Sequence, residues 1–147
     1  MKLELDKNPS KADAALISKG LRSSNESRIP EIKGQDEDNF SVFARDEEGE
    51  IMGGLRAVCF WNTLHIELIW VDEDQRHKGL GSKLVAAAEA YARDRGVENA
   101  FLETTDWQAR EFYEKHDYMI MGHMEDYPKG HTMYFMTKKL ASEKGTS

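Results

Sequence analysis

The sequence predicts an α/β protein: one mixed β-sheet of about seven strands with helices on both faces. Three observations point there. A β-branched, apolar run from Ile66 to Val71 stops at an acidic turn, passes through Arg76-His77-Lys78-Gly79-Leu80-Gly81 and enters a helix-forming segment. Upstream, segments that alternate apolar and polar residues are separated by turn signals. Downstream, stripes with helical spacing separate further strand-like runs.

Each element follows in order. Residues 2–6 alternate apolar and charged, which predicts a short first strand. Pro9-Ser10 before Asp13 reads as a helix start with Ser10 as N-cap, and Ala14, Ile17 and Leu21 then share one helical face. Residues 22–38 are polar, with Pro30 and Gly34, and read as a loop or short helix. Phe40 to Arg45 alternates as a strand; Asp46-Glu47-Glu48-Gly49 is a hairpin turn; Ile51 to Phe60 is the return strand, with Gly53-Gly54 marking a bulge or close packing. Trp61-Asn62-Thr63 turns into the strand 64–71. Leu80, Leu84, Val85, Ala88, Tyr91 and Ala92 form a helical stripe that ends at Gly96. A strand at 100–104, a short helix at 108–116 and strands at 118–123 and 132–140 complete a single domain over 1–147, with 141–147 a frayed tail.

The segment around Arg76 is built to receive a phosphorylated group. Glycines let the backbone approach a ligand, and a helix start presents unpaired N–H groups. A P-loop is excluded, because the order is Gly81-Ser82-Lys83 with no glycine five positions earlier. A dinucleotide fingerprint is excluded by Leu84 at the third glycine position. The remaining Arg76-x-x-Gly79-x-Gly81 resembles the pyrophosphate-binding loop of the GNAT superfamily of N-acetyltransferases, in its small single-domain bacterial form. Asp106-Trp107-Gln108-Ala109 through Phe112-Tyr113 to Asp117-Tyr118 resembles that family's Asn-x-x-Ala-x-x-Phe/Leu-Tyr-x-x-x-Gly-Phe/Tyr segment. The Trp70-Val71-Asp72-Glu73 strand end and the Pro128-Lys129-Gly130-His131 loop are similar to those of small bacterial members.

The resemblance implies a GNAT-like fold, acetyl-CoA as cosubstrate, and roles for particular residues. Backbone groups of Val71 would hold the pantetheine arm. The amides of His77, Lys78, Gly79, Leu80, Gly81 and Ser82 would bind the pyrophosphate, with Arg76 and Lys78 near its charges; Lys83 reads as surface charge. Tyr113 falls at the tyrosine that protonates the departing thiolate, and a phenol with a pKa near 10 keeps its proton at neutral pH. Asp106 stands where the family has Asn, so a carboxylate would lie near the cofactor or the contact would pass to Gln108. Asp117 replaces a glycine in a left-handed turn, a position Asp tolerates better than most residues.

Acetyl transfer to an amine also needs a base, because an alkylamine is protonated at neutral pH. Alternation along the strand places His65, Glu67, Ile69 and Val71 on one side, and Ile66, Leu68 and Trp70 on the other. Glu67 matches the family's base in residue type and is the first candidate; His65 is the second. Trp70, Asp126 and His131 are candidates to line the acceptor site.

Composition sets the outer bounds. With 39% apolar and 32% charged residues the chain is globular, and no apolar run reaches a membrane span. A net charge of −7 argues against nucleic acid and suits a cationic acceptor. The single cysteine, Cys59, allows no internal disulfide and fits a reducing, cytoplasmic setting. The histidines lack metal-ligand spacing, so no metal is expected. The expected function is acetyl transfer from acetyl-CoA to a primary amine of a small molecule or protein by direct attack in a ternary complex. Its rivals are transfer of a longer acyl group or to a hydroxyl, and a non-catalytic acyl-CoA-sensing or interaction module. A homodimer is expected by resemblance, since the family's final strands often pair between chains.

Overall fold

The computed structural model describes residues 1–140, so the tail expected at 141–147 lies outside the described residues. The chain divides into two compact units, Met1–Gln35 and the residues from Asp36 on.

In the first unit, α1 spans Lys11–Arg28 and the Ser10 hydroxyl accepts the Asp13 N–H at 3.1 Å, as the sequence predicts. The helix runs on through the polar stretch after residue 22, where a loop or short helix was the expectation. Arg22 and Glu26, one turn apart, pair at 3.4 Å in that stretch. Pro30 then forbids another α turn, and Pro30–Ile32 form a single 3-10 turn. Residues 2–6 form no strand. Alternation assigns side chains to faces but does not by itself supply the ladder hydrogen bonds that make a strand.

The second unit holds the sheet, which among the described residues has six strands rather than about seven: β1 Asp38–Arg45, β2 Ile51–Phe60, β3 Thr63–Val71, β4 Asn99–Thr105, β5 Met119–Glu125 and β6 Thr132–Lys139. The order across it is β1-β2-β3-β4-β6-β5. Only β3 and β4 run parallel; the other neighbours are antiparallel. The β1–β2 turn is made by Asp46, whose Oδ1 accepts the N–H groups of Glu48 and Glu50 at 2.9 Å each.

Helix α2 (Leu80–Asp94) crosses from β3 to β4, and α3 (Arg110–Lys115) follows β4. Leu84, Val85, Ala88 and Ala92 of α2 pack with Leu55, Ala57 and Cys59 of β2, Leu64 and Ile66 of β3, Ala100 and Leu102 of β4, and Tyr113 of α3 in one core. Past α2, Gly96 takes a φ of 77°, and the Gly96 and Val97 N–H groups return to Arg93 and Ala92. No helix among the described residues is long and apolar enough to cross a membrane.

One local irregularity decides where the β3 side chains point. Arg56 of β2 pairs with Leu68 and Ala57 with Ile66, so Glu67 is an extra residue without an opposite number. Such a bulge reverses the alternation on its far side. Leu64 and Ile66 face the core before it, and Ile69 and Val71 pack against the core after it. The uniform alternation read from sequence is thereby corrected: His65 shares its face with Leu68 and Trp70, not with Ile69 and Val71.

Candidate active site

The parallel pairing of β3 with β4 lasts three residue pairs, Thr63↔Asn99, Leu64↔Ala100 and His65↔Phe101. Beyond that point β3 continues to Val71 beside β2, while β4 continues to Thr105 beside β6. The two strands part, and the facing edges of 67–71 and 102–105 carry backbone groups with no strand partner. Unpaired strand edges keep their hydrogen-bonding capacity, so this opening can pair with an extended ligand that carries its own amides. It lies at the carboxyl ends of the two parallel strands, the usual ligand position in an α/β sheet.

Beside the opening, the chain from Val71 reaches α2 through a 3-10 turn at Glu73–Gln75 and a loop with His77 at φ 64° and Gly79 at φ 80°. Gly79 is the N-cap of α2, and no side chain occupies the helix start. The first N–H groups, at Leu80, Gly81 and Ser82, thus have no intrahelical carbonyl and no cap. A Cβ on Gly81 would lie 3.3 Å from two atoms of the Phe112 ring, so glycine there lets α2 and α3 close together. A Cβ on Gly53 would lie 2.9 Å from the Trp70 carbonyl oxygen, so the close packing expected at Gly53-Gly54 is a contact with β3 itself. The Arg76 Nε donates to the Val71 carbonyl at 3.3 Å, folding this side chain back on the strand end. Ser82 and His116 are joined at 2.9 Å between Oγ and Nε2, tying α2 to α3.

Tyr113 is buried on α3, and burial pushes its phenol up to about 12. Its hydroxyl has no hydrogen-bond partner among the described residues. Helix α3 is shorter than the 108–116 span expected, because Gln108 is spent on a turn: its Oε1 accepts the Thr105 N–H at 3.1 Å, while the Ala109 N–H reaches Thr104 Oγ1. Asp117 adopts φ 69°, the left-handed turn the sequence requires of it. The Asp106 carboxylate binds His131 Nδ1 at 3.0 Å and accepts the Thr132 N–H at 3.1 Å. Desolvation pushes the Asp106 carboxyl up, but the Thr132 amide and the His131 imidazole outweigh it and hold the group below its ordinary value.

The two base candidates have separate partners. Glu67 Oε1 lies 3.5 Å from the Arg56 Nε. His65 stacks on Phe101, with centroids 4.2 Å apart, and its Nε2 is 3.1 Å from Glu103 Oε2. Trp70 is exposed on the same face. His131 meets Trp107 edge-on at 4.9 Å, and Asp126 Oδ1 accepts the Gly130 N–H, which shapes the 126–131 hairpin. Sequence reasoning missed Arg56 and Glu103. The charge at Glu103 in an otherwise apolar run was the available signal, and the β3–β4 register needed to use it was not. A depression of about 850 Å³ lined by Asn99, Phe101, Asp117, Met119 and Lys138 among others lies toward the opposite end of β4; it shares Phe101 and Asp117 with the residues above but none of Glu67, Tyr113, the 76–82 loop or the 126–131 hairpin.

The opening between β3 and β4, the uncapped glycine-bounded start of α2 and the buried Tyr113 of α3 lie in the same unit. The family model for the acetyltransferase (GNAT) family matches residues 14–118. Blasticidin-S acetyltransferase of Streptomyces morookaense is 39% identical over 114 residues, 77% of this chain and 84% of that protein. An acetyltransferase of Agrobacterium fabrum is 27% identical over 71% of this chain and 76% of its own length. The crystal structure of an acetyltransferase from Bacillus cereus superposes with a TM-score of 0.83 at 34% identity, covering 93% of this chain and 98% of that one. The chain belongs to the GNAT acetyltransferase family and is an acetyl-CoA-dependent acyltransferase.

Proposed function

We propose that this chain, acting as a single domain, transfers the acetyl group of acetyl-CoA to a primary amine of a small cationic molecule, with an antibiotic of the blasticidin type the favoured acceptor. The observation that carries the reading is the β3–β4 opening beside the free start of α2. The residues present fit the cosubstrate: an extended amide-bearing arm matches the unpaired strand edges, and a side chain at Gly79 or Gly81 would strain or crowd the phosphate end. Val71, Arg76, His77, Lys78, Gly79, Leu80, Gly81 and Ser82 would hold it, with Gln108 near the end of β4. When bound, it supplies an activated acetyl thioester.

The chain's own residues then manage protons. An amine must lose one before it is nucleophilic; the acceptors for it are His65 and Glu67 on β3. Tyr113 keeps its proton at neutral pH and can give it to the leaving sulfur. The acetyl group passes directly to the amine, because the one thiol, Cys59, is buried on the core face of β2 and burial pushes its pKa up. Support for a cationic acceptor comes from the 39% identical blasticidin-S acetyltransferase and from carboxylates at Glu67, Glu103, Asp106 and Asp126 beside exposed rings at Trp70, Trp107 and Tyr127. Trp70, Asp126 and His131 would contact that acceptor.

The test is free-thiol release from acetyl-CoA in the presence of blasticidin S, kanamycin, spermidine and lysine in turn. Amine-dependent turnover, fastest with blasticidin S, is the expected result. Binding of acetyl-CoA without turnover on any of the four would reject the reading.

A further inference from the structure

We propose that Glu103 is the positioning residue for His65, and that this pair, spanning the apex of the β3–β4 opening, takes the proton from the acceptor amine. The inference deepens the reading above and rests on it.

The geometry is specific. His65↔Phe101 is the last pair that joins β3 to β4. Glu103 is the next β4 residue on that face, so its carboxylate sits where the strands begin to part. Its Oε2 reaches back 3.1 Å to His65 Nε2. A carboxylate oxygen can only accept, so Nε2 carries the hydrogen. That fixes the tautomer and leaves the Nδ1 lone pair as the basic site; among the described residues Nδ1 has no partner. Stacking on Phe101, with rings 6° from parallel, fixes the plane of the imidazole. An imidazole held by a carboxylate on one nitrogen and free on the other is the arrangement that serves as a general base elsewhere. Glu67, the better match by residue type, is instead occupied by Arg56 at 3.5 Å. The charged groups on His65's face of the neighbouring strands are Arg56 on β2, Glu67 on β3 and Glu103 on β4. Lys139 on β6 is turned to Asn99 at 2.6 Å.

The step balances. The ammonium proton of the acceptor moves to His65 Nδ1. The freed nitrogen lone pair forms the N–C bond as the C–S bond breaks, and the bond pair leaves on sulfur. Tyr113 protonates the sulfur and recovers a proton from solvent, to which the new amide and His65 each release one.

The test has two arms. In the first, protein labelled with ¹⁵N-histidine, with His65 assigned by His65→Gln, is expected to show a single Nε2–H tautomer, and Glu103→Ala to show a mixture. In the second, Glu103→Ala is expected to lower kcat on the most active amine of the panel by about 10- to 100-fold, within the range a general base contributes, and to leave KM for acetyl-CoA unchanged. Glu103→Gln, which keeps an acceptor but no charge, is expected to fall between. An unchanged tautomer with kcat within about twofold of the parent would overturn the pairing while the acetyltransferase reading stands, 1.4 kcal/mol being a factor of ten. A parent protein inactive on all four amines would overturn that reading and the base assignment with it.

Discussion

Tyr113 shows how position changes an ordinary phenol. An unfolded tyrosine ionises near pH 10, whereas burial raises Tyr113 to about 12. Tyr118 is also raised, by burial first and then by the Glu89 carboxylate that its hydroxyl donates to at 2.9 Å. Between those values the unfolded chain has released a proton that the native chain retains. The stabilisation is therefore complete below about pH 10 and is lost as pH rises toward 12. The urea midpoint should fall steeply above pH 10 in the parent and less steeply in Tyr113→Phe; parallel curves would mean that Tyr113 is not shielded as described. With its phenol raised to about 12, Tyr113 stays protonated near neutral pH, so in its proposed role as acid it should not shape the activity profile there.

Among the elements, α2 and the β3 bulge place the chemistry. Gly79 at φ 80° begins α2 in a conformation that costs other residues roughly 1–2 kcal/mol. Gly79→Ala should lower the melting temperature and raise KM for acetyl-CoA more than it lowers kcat; a kcat effect alone would place this glycine elsewhere in the mechanism. Gly81→Ala would press a methyl on the Phe112 ring at 3.3 Å, and overpacking of this kind costs about 1–3 kcal/mol. The loop-to-helix step was legible because Arg76-x-x-Gly79-x-Gly81 encodes backbone geometry directly. So was the short helix expected at 108–116, which places Phe112 and Tyr113 on α3. The bulge at Glu67 was not legible: it is a matter of register between β2 and β3, and β3 read alone alternates smoothly. The same gap hid Glu103, which lies 38 residues from His65 along the chain and becomes its partner only through the parallel pairing of β3 with β4. Residues 2–6 erred in the other direction, carrying a strand pattern without forming a strand.

At the scale of the whole second unit, a buried charge network joins sheet to helix. Glu89 of α2 is 4% exposed and binds Lys138 Nζ of β6 at 2.9 Å and the Tyr118 hydroxyl at 2.9 Å. Breaking such a pair leaves a buried charge alone, at a cost of about 3–5 kcal/mol, whereas replacing both partners with apolar groups costs far less. Glu89→Ala should therefore melt well below the parent, and Glu89→Leu/Lys138→Met should regain only part of the loss, because Arg93, 3.4 Å from Glu89 Oε1, and the buried Tyr118 hydroxyl still lose the carboxylate. A double variant no better than the single would show that the network contributes more than neutralised burial. Because α2 also begins at the loop proposed to hold the cofactor, acetyl-CoA should raise the melting temperature of the parent.

The central claim is that the opening between β3 and β4 holds acetyl-CoA with Tyr113 as the acid for the leaving thiol. Measuring kcat and the Kd of CoA side by side for the parent and Tyr113→Phe tests it most directly. In Tyr113→Phe kcat is expected to fall about 100-fold, as loss of a general acid does, with Kd unchanged. A kcat within a few-fold of the parent, or a loss explained entirely by weaker CoA binding, would contradict it.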